Sequence, residues 1–402
     1  MKGLFQTATL VRSQTFSESS QCGKCGLFKS CKSPKMSPQG SGSSGILIVM
    51  PEVTQAADEH HNFLYSTLGS RVKRLLAGQG IATKDCWITA ATICYGKGVS
   101  DEQVDACSFK LRETIRELKP HLIIAIGKTA VRNIIQFTWN KAAENTNRWY
   151  GYQIPSQIHN AWVCPVGEPS HGDQKDCSLL LFQKQFLLAL EKKKRPFTTI
   201  PDYQKQIHIV TAKEAVRFIK HVTKKGGVAA WDIETNCLKP EHPPARIVSA
   251  SVCWRGTHTI AAPWHGTLPD AFCAFLRSPK IWKIASNLQF EHRWAKAILN
   301  VRVRNWIWDT MQAAHALDNR KGAASIKFQS FVRLGIPSYD NEISQFLRSG
   351  DEKVDDAHAL NLIHEITLND LLLYNGLDSL LEYLVAVKQA KEMGHPAYKA
   401  MK

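Results

Sequence analysis

No apolar run in this 402-residue chain approaches the roughly 18 residues that a membrane-spanning helix needs, and the best stretch, around His121–Gly127, is only strand length. The N-terminus lacks the apolar core of a secretory signal. No internal repeat with a period of about 20–50 residues is present, which excludes a solenoid. The 11 cysteines are an odd number scattered along the whole length. That excludes the disulfide framework of a small secreted domain and points to a reducing compartment, where clustered thiols serve metal or redox chemistry. A composition of 44% hydrophobic and 21% charged residues excludes collagen-like and wholly disordered chains. The expectation is a soluble protein without a membrane partner that stays in the cytoplasm where it is made.

Acidic residues are few beside basic ones. With 51 Lys and Arg against 35 Asp and Glu, the formal net charge is +16. Such an excess concentrates polyanions around the molecule, and nucleic acid is the commonest of them. The length suits two or three domains, each able to bury its own core.

Residues 1–45 read as a basic lead-in carrying Cys22, Cys25 and Cys31 and ending in the Gly/Ser-rich run Gly40–Gly45. Strands are expected at Ile46–Met50, Cys86–Cys94 and His121–Ile126, and helices at Asn62–Gln79, Gln103–Leu118, Thr129–Gln136 and Leu179–Leu190. This alternation predicts a parallel sheet flanked by helices over residues 1–190. Lys192–Arg195 with Pro196 and Pro201 forms a basic, proline-punctuated linker, residues 191–206. A second α/β unit is expected over 207–402. Its strands lie at Gly227–Ile233, Ile247–Trp254, His258–Ala262 and Ile281–Ser286, and its helices at Thr211–Lys224, Pro269–Leu276, Phe290–Leu299 and Thr310–Leu317, with a mostly helical last third. The fold class is α/β in two domains.

The second unit carries an acidic constellation. Asp232 and Glu234 end a strand, and alternation puts both on one face. Adjacent carboxylates repel unless a cation or proton joins them. Ala285–Glu291 delivers Asn287, Phe290 and Glu291 where a strand gives way to a helix. In Tyr374-Asn375-Gly376-Leu377-Asp378 the i, i+4 spacing sets the phenol and the carboxylate one turn apart on one helix face. Four carboxylates and a phenol from separate segments could hold two divalent ions about 4 Å apart, one activating a water and the other stabilising a leaving 3′ oxygen.

These motifs resemble the proofreading-type 3′–5′ exonucleases of the DEDDy group, the ribonuclease-H-like domains found in family A DNA polymerases. The resemblance spans about residues 207–392 and includes Trp308-Asp309-Thr310-Met311 ahead of a helix. It implies Asp232, Glu234, Glu291 and Asp378 as ligands of two Mg²⁺ or Mn²⁺ ions, with Tyr374 orienting the attacking water. Asn287 and Phe290 would contact the substrate, the 3′ end of single-stranded or frayed DNA. Glu291 departs from the family's usual Asp, and one added methylene shifts the geometry by about 1 Å. Arg293 and Trp294 follow directly and are expected to line the cleft. Arg302, Arg304, Trp306 and Trp308 interleave charge and aromatics as single-strand channels do, Trp308 being better placed in the core.

In the first half, Cys22-Gly-Lys-Cys25 is a knuckle shared by zinc, iron–sulfur and redox sites. Cys94 and Cys107 could complete a four-thiolate site for a 4Fe–4S cluster or for Zn²⁺, with Cys31 as a competing ligand and Cys86 and Cys164 as core residues. Residues 20–190 resemble the iron–sulfur uracil-DNA glycosylases. The carrying residues are this knuckle, Ile46–Met50, Phe63, Trp87–Cys94, Cys107 and Leu118–Gly127. The resemblance implies a 4Fe–4S cluster on Cys22, Cys25, Cys94 and Cys107, and Phe63 as a base-stacking platform. The family's catalytic motifs are missing. Pro51, with Glu52 displaced by one, stands where the family has its water-activating acid. Ala90 replaces the uracil-reading Asn, and Glu168-Pro169-Ser170 replaces His-Pro-Ser. A flipped uracil needs hydrogen-bond partners and a stabilised leaving anion, which Ala90 and Glu168 do not supply. His171 nearby reads as an ordinary surface residue.

The expectation is therefore a metal-dependent 3′–5′ DNA exonuclease joined to a glycosylase-like domain without glycosylase activity. The chain stops about ten residues after its last predicted helix, so the DNA polymerase that proofreading needs is expected in trans, the alternative being that this chain is a fragment of a longer fusion. The combination resembles bacteriophage replication proteins, which would place it in the host cytoplasm or nucleoid. The alternatives are a non-catalytic DNA-binding or polymerase accessory subunit and an active base-excision glycosylase of altered specificity.

Overall fold

The computed structural model describes residues 21–139, 145–169, 177–194, 200, 202–241, 243–348 and 358–402. They form two compact units, one within residues 11–199 and the other within 200–333 and 338–402.

The first unit is a three-layer α/β sandwich. Its strands are β1 (Ile46–Met50), β2 (Trp87–Ala90), β3 (Leu122–Ile126), β4 (Ile154–Ser156) and β5 (Ala161–Val166). Its helices are α1 (Cys22–Cys25), α2 (Gln55–Glu59), α3 (Thr67–Gly78), α4 (Asp101–Leu118), α5 (Gly127–Trp139) and α6 (Cys177–Leu190). The sheet order is β2-β1-β3-β5-β4, all parallel except β4 against β5. Both β1 and β3 are buried throughout, as continuous apolar runs covered on both faces must be. The Ser100 hydroxyl accepts from the Gln103 backbone N–H and the Gln103 side chain accepts from the Ser100 N–H, a capping box that fixes the start of α4. Strand β2 is shorter than the sequence suggests, because the chain turns after Ala90. Strands β4 and β5 escape a sequence reading: β4 has three residues, and β5 contains Pro165, a residue type that argues against a strand inside a sheet.

The second unit holds β6 (Ile207–Ile209), β7 (Gly227–Thr235), β8 (Ile247–Trp254), β9 (His258–Pro263), β10 (Ile281–Ala285) and β11 (Trp306–Asp309). Its helices are α7 (Ala212–Lys225), α8 (Leu268–Arg277), α9 (Leu288–Leu299), α10 (Thr310–Leu317), α11 (Ile326–Leu334), α12 (Leu368–Glu392) and α13 (Ala397–Met401). The strand order is β11-β10-β7-β8-β9-β6. An antiparallel meander β7-β8-β9 is flanked by parallel β10 and β11 on one side and by β6, parallel to β9, on the other. The short edge strands β6 and β11 were not expected from the sequence. On β7, Trp231 and Ile233 enter the hydrophobic core, so strand alternation turns Asp232 and Glu234 to the opposite face. Helix α12 crosses β6 to β9, and a side chain at Gly376 would bring its Cβ to 2.4 Å from Ile207. Glycine there lets the helix bearing Tyr374 and Asp378 lie close to the sheet.

Candidate functional site

Strand β7 and helix α12 deliver Asp232, Glu234 and Asp378 to one place, with a carboxylate oxygen of each within 4.8 Å of the others. They line a recess of about 320 Å³ together with Ser286, Asn287, Phe290, Glu291, Lys327, Tyr374 and Glu382. Glu234 and Asp378 are buried and Asp232 is half-buried.

The electrostatics follow from this crowding. Burial, and next the Asp378 carboxylate, push the Asp232 carboxyl up to about 8, against the opposing effects of Lys327 and Asn375. Glu234 is raised well above the usual carboxylate range by burial and then by Asp232 and Asp378. A set of acids whose charges mutually oppose ionisation is what a divalent cation would relieve.

Neighbouring side chains hold each acid in place. Asn375 donates from Nδ2 to Asp232 Oδ2 at 2.5 Å and accepts at its own oxygen from Ser249 at 3.1 Å. Asp378 accepts from Lys327 Nζ at 2.8 Å and from the Tyr339 hydroxyl. The Lys327 ammonium sits 4.8 Å from the Tyr374 ring centre and 5.3 Å from that of Tyr339. Burial pulls this ammonium down, but the charges around it, the Asp378 carboxylate foremost, outweigh that and hold Lys327 above its ordinary value. Tyr374 is buried, and burial followed by Asp378 raises its phenol, so it stays protonated.

Asn287 stands in the left-handed region at φ 64° ahead of α9. The Asp309 carboxylate anchors this turn, accepting from the backbone N–H of Asn287 and of Leu288 at 3.1 Å, while also capping α10 through the N–H of Met311 at 2.9 Å. One carboxylate thus fixes both the turn that presents Phe290 and Glu291 and the helix behind it. Glu291 faces the recess, 2% exposed, but stands outside the group of three oxygens, and its Oε2 has no hydrogen-bond partner among the described residues.

Two expectations change here. Arg293 does not line the acidic recess; it pairs with Glu241 at the surface. Trp294 is fully buried and its indole donates to the Leu238 carbonyl at 3.3 Å. The reason is helical phase: Glu291, Trp294 and Ala295 share the inward stripe of α9, and Arg293 lies off it. Trp308 is in the core, as expected, and donates to Gln389.

Five residues of the site were not singled out in the sequence. Glu382 follows Asp378 by four, one turn further along the same face of α12, so a signal existed. It is 1% exposed, Oε2 has no partner among the described residues, and burial followed by Asp232, Glu291 and Asp378 raises it well above its usual range. Asn375 lay inside the tyrosine motif without a role. Asp309 lay in a noted motif, but its capping depends on strand order. Lys327 and Tyr339 come from a region without any local pattern.

In the first unit, Cys22, Cys25, Cys94 and Cys107 line one recess with Leu27, Phe28, Ile93 and Phe109. The Lys35 N–H donates to Cys94 Sγ at 3.2 Å, and Gln103 Nε2 donates to the Cys25 carbonyl at 3.2 Å. Cys31 lies near enough to Cys94 to raise its thiol but does not line the recess. Burial raises the Cys107 thiol to about 12, with Cys25, Cys94 and Cys22 adding to it. Among the described residues no three of these sulfurs lie within 4.8 Å of one another. A single zinc, with Zn–S near about 2.3 Å, would need a tighter set. Cys86 and Cys164 are core residues.

Phe63 is 3% exposed and packs within the hydrophobic core, so it offers no open stacking face. Ala90 is fully buried. Glu52 accepts from the Thr129 hydroxyl at 2.9 Å. The Pro51 ring and the Glu168 carboxylate both press on Gly127, whose φ of 79° and lack of a side chain admit them. Ser170 and His171 lie outside the described residues.

Residues 45–197 match the family model described as the uracil DNA glycosylase superfamily. The first unit is glycosylase-like. No curated protein matches the chain in sequence. Among solved structures, the chain is similar to a nuclease in its apo form, with 15% identity, 48% of this chain and 83% of that one covered, and a TM-score of 0.35. Brucella melitensis NrnC gives 14% identity, 48% and 86% coverage and a TM-score of 0.32. Escherichia coli RNase D, an exoribonuclease involved in structured RNA processing, gives 14%, 47% and 45% coverage and a TM-score of 0.31.

Proposed function

We propose that the second unit is a divalent-metal-dependent 3′–5′ exonuclease acting on the 3′ end of single-stranded or frayed DNA. The observation that carries this reading is the convergence of Asp232, Glu234 and Asp378 within 4.8 Å in an open recess. The donor set is all oxygen, which suits Mg²⁺ or Mn²⁺. Asp232, Glu234 and Asp378 would hold the cation, and Glu291 and Glu382, each with an oxygen that has no partner among the described residues, would face a second one, whose charge would favour their ionised forms. Bound there, such cations supply the Lewis acidity that activates water and stabilises a departing 3′ oxygen. The chain's own residues do the positioning. Tyr374, kept protonated by burial, orients the attacking water by hydrogen bonding, and Phe290 and Asn287 flank the terminal nucleotide.

The first unit is read as a nucleic-acid-binding platform without glycosylase activity, its four cysteines Cys22, Cys25, Cys94 and Cys107 holding a 4Fe–4S cluster. The four thiols line one recess and are too spread for a single ion, which supports a cluster over zinc. A polymerase partner in trans and a role in phage DNA replication extend this reading by analogy of architecture alone. One observation favours a rival, the non-catalytic DNA-binding subunit: Lys327 and Tyr339 already satisfy Asp378.

Digestion of 5′-labelled single-stranded DNA, and of RNA of the same sequence, in Mg²⁺ or Mn²⁺ separates the two. A ladder shortening from the 3′ end and lost in Asp232→Ala supports the nuclease, and the faster substrate identifies the sugar. Intact substrate despite tight binding by both proteins supports the subunit.

A further inference from the structure

Helix α9 has a second functional stripe. Glu291, Trp294 and Ala295 face inward, whereas Gln289, His292, Arg293 and Lys296 follow the i, i+3, i+4, i+7 pattern of a different face. These four line a recess of about 540 Å³, which Arg302 and Val303 from the connection after α9 and Trp306 at the start of β11 close. Its size lies within the range of ligand pockets.

The recess is short of negative charge. Arg293 pairs with Glu241. Among the described residues neither Lys296 nor Arg302 has a carboxylate partner. His292 is held below its ordinary value by burial and then by Arg302 and Lys296. Trp306 stacks on Trp231 at 5.9 Å, and its indole Nε1 is buried with no hydrogen-bond partner among the described residues. An indole N–H only donates, as do Lys and Arg. These groups ask for an anionic acceptor, and a flat aromatic wall beside them suits a base.

The first turn of α9 lines both recesses: Phe290 and Glu291 face the acidic one, Leu288 and Gln289 the basic one. We propose that the basic recess is a subsite for single-stranded nucleic acid, taking the phosphodiester backbone a short way 5′ of the terminus held at the acidic recess. This rests on the exonuclease reading and gives it a means of holding a strand through successive cuts. Phosphate-pairing cations beside an aromatic platform are the usual composition of single-strand grooves.

The test titrates fluorescent oligothymidylates of three and twelve nucleotides into the full chain in EDTA, where nothing is cut, over a range of salt. Lys296→Gln with Arg302→Gln is compared with wild type and with Lys220→Gln plus Lys224→Gln, an equal loss of charge on α7. All four lysine and arginine side chains are exposed, so folding is preserved. The expected result is roughly tenfold weaker binding of the twelve-mer, with the slope of log affinity against log salt reduced by about 1.4, as two lost single-strand phosphate contacts require. The trimer and the α7 variant should change little.

An unchanged twelve-mer slope, or an equal fall in the α7 variant, overturns the subsite. Polyglutamate competing as well as the twelve-mer overturns it in favour of an acidic-peptide surface. Failure of the nuclease reading looks different: wild type then binds the twelve-mer with the expected slope but leaves it intact in Mg²⁺ and Mn²⁺.

Discussion

The two units place their strand ends to opposite effect. In the second, five carboxylates, Asp232, Glu234, Glu291, Asp378 and Glu382, crowd one recess with a single buried ammonium among them. In the first, the strand ends that would form a base pocket present buried Ala90, the Pro51 ring, and Glu52 already bonded to Thr129. Mutually repelling buried acids cost stability unless a ligand uses them, so their retention argues for chemistry. A glycosylase-like architecture with Ala and Pro at its strand ends, beside a unit whose strand end gathers acids, illustrates that the fold alone assigns neither unit a reaction.

The sharpest way to break this comparison is to remove one acid from each unit. Asp378→Asn should lower the rate of 3′ shortening about 1,000-fold or more, as loss of a metal ligand at the reacting centre does. Glu52→Gln should leave that rate within about twofold, since it lies outside the proposed machinery. A large loss with Glu52→Gln would make the first unit a participant in the reaction.

The cysteines offer the next largest effect. Cys107→Ser should abolish bound iron and the visible absorbance of the purified chain and lower the thermal midpoint of the first unit, because ligation free energy is folding free energy. Cys31→Ser should retain both. Retention of iron in Cys107→Ser with loss in Cys31→Ser would exchange their roles.

Lys327 tests the acidic recess from the other side. It is the cation that Asp378 holds in this structure, and breaking a buried pair leaves an uncompensated charge worth about 3–5 kcal/mol. In EDTA, Lys327→Met should therefore melt roughly 10 °C lower than wild type, at about 2–4 °C per kcal/mol. Added Mn²⁺ should return part of the loss. Glu382→Gln should raise the midpoint in EDTA by a few degrees, since it removes a buried acid with an unpartnered oxygen. A midpoint for Lys327→Met that ignores Mn²⁺ would argue against a cation site at Asp378.

How far the sequence displayed all this depends on the range of each interaction. The strands β1, β3, β8 and β10 were legible because apolar runs and alternation are local. Asp232, Glu234, Tyr374 and Asp378 were legible because each pair sits on one element at a fixed period. Their meeting was legible only through resemblance, since β7 and α12 are far apart in the chain. Lys327, Tyr339 and the double cap by Asp309 were invisible: they depend on which strands and helices lie side by side. Arg293 and Trp294 were misplaced by neglect of helical phase, and Phe63 because an aromatic in the core looks the same in sequence as one on a platform.

A second buried lysine shows that burial of charge alone does not mark a site. Lys283 on β10 is fully buried and donates to the Ser278 and Ile281 carbonyls at 2.7 and 3.1 Å, with no carboxylate among the described residues to hold its proton. Burial lowers it to about 8 from the 10.5 of a free lysine. Between those two values the unfolded chain binds a proton that the folded one does not, so stability rises with pH across that window. Below about 8 both states are protonated and the burial penalty is felt in full. The difference in thermal midpoint between Lys283→Met and wild type should thus be largest, a few degrees in favour of the variant, at pH 7, and shrink as pH approaches 10.5. Lys327, held by Asp378, should give the opposite sign at pH 7, with its Met variant less stable than wild type. A constant difference for Lys283→Met across the window would mean that its two carbonyls hold the ammonium as well as a carboxylate holds Lys327.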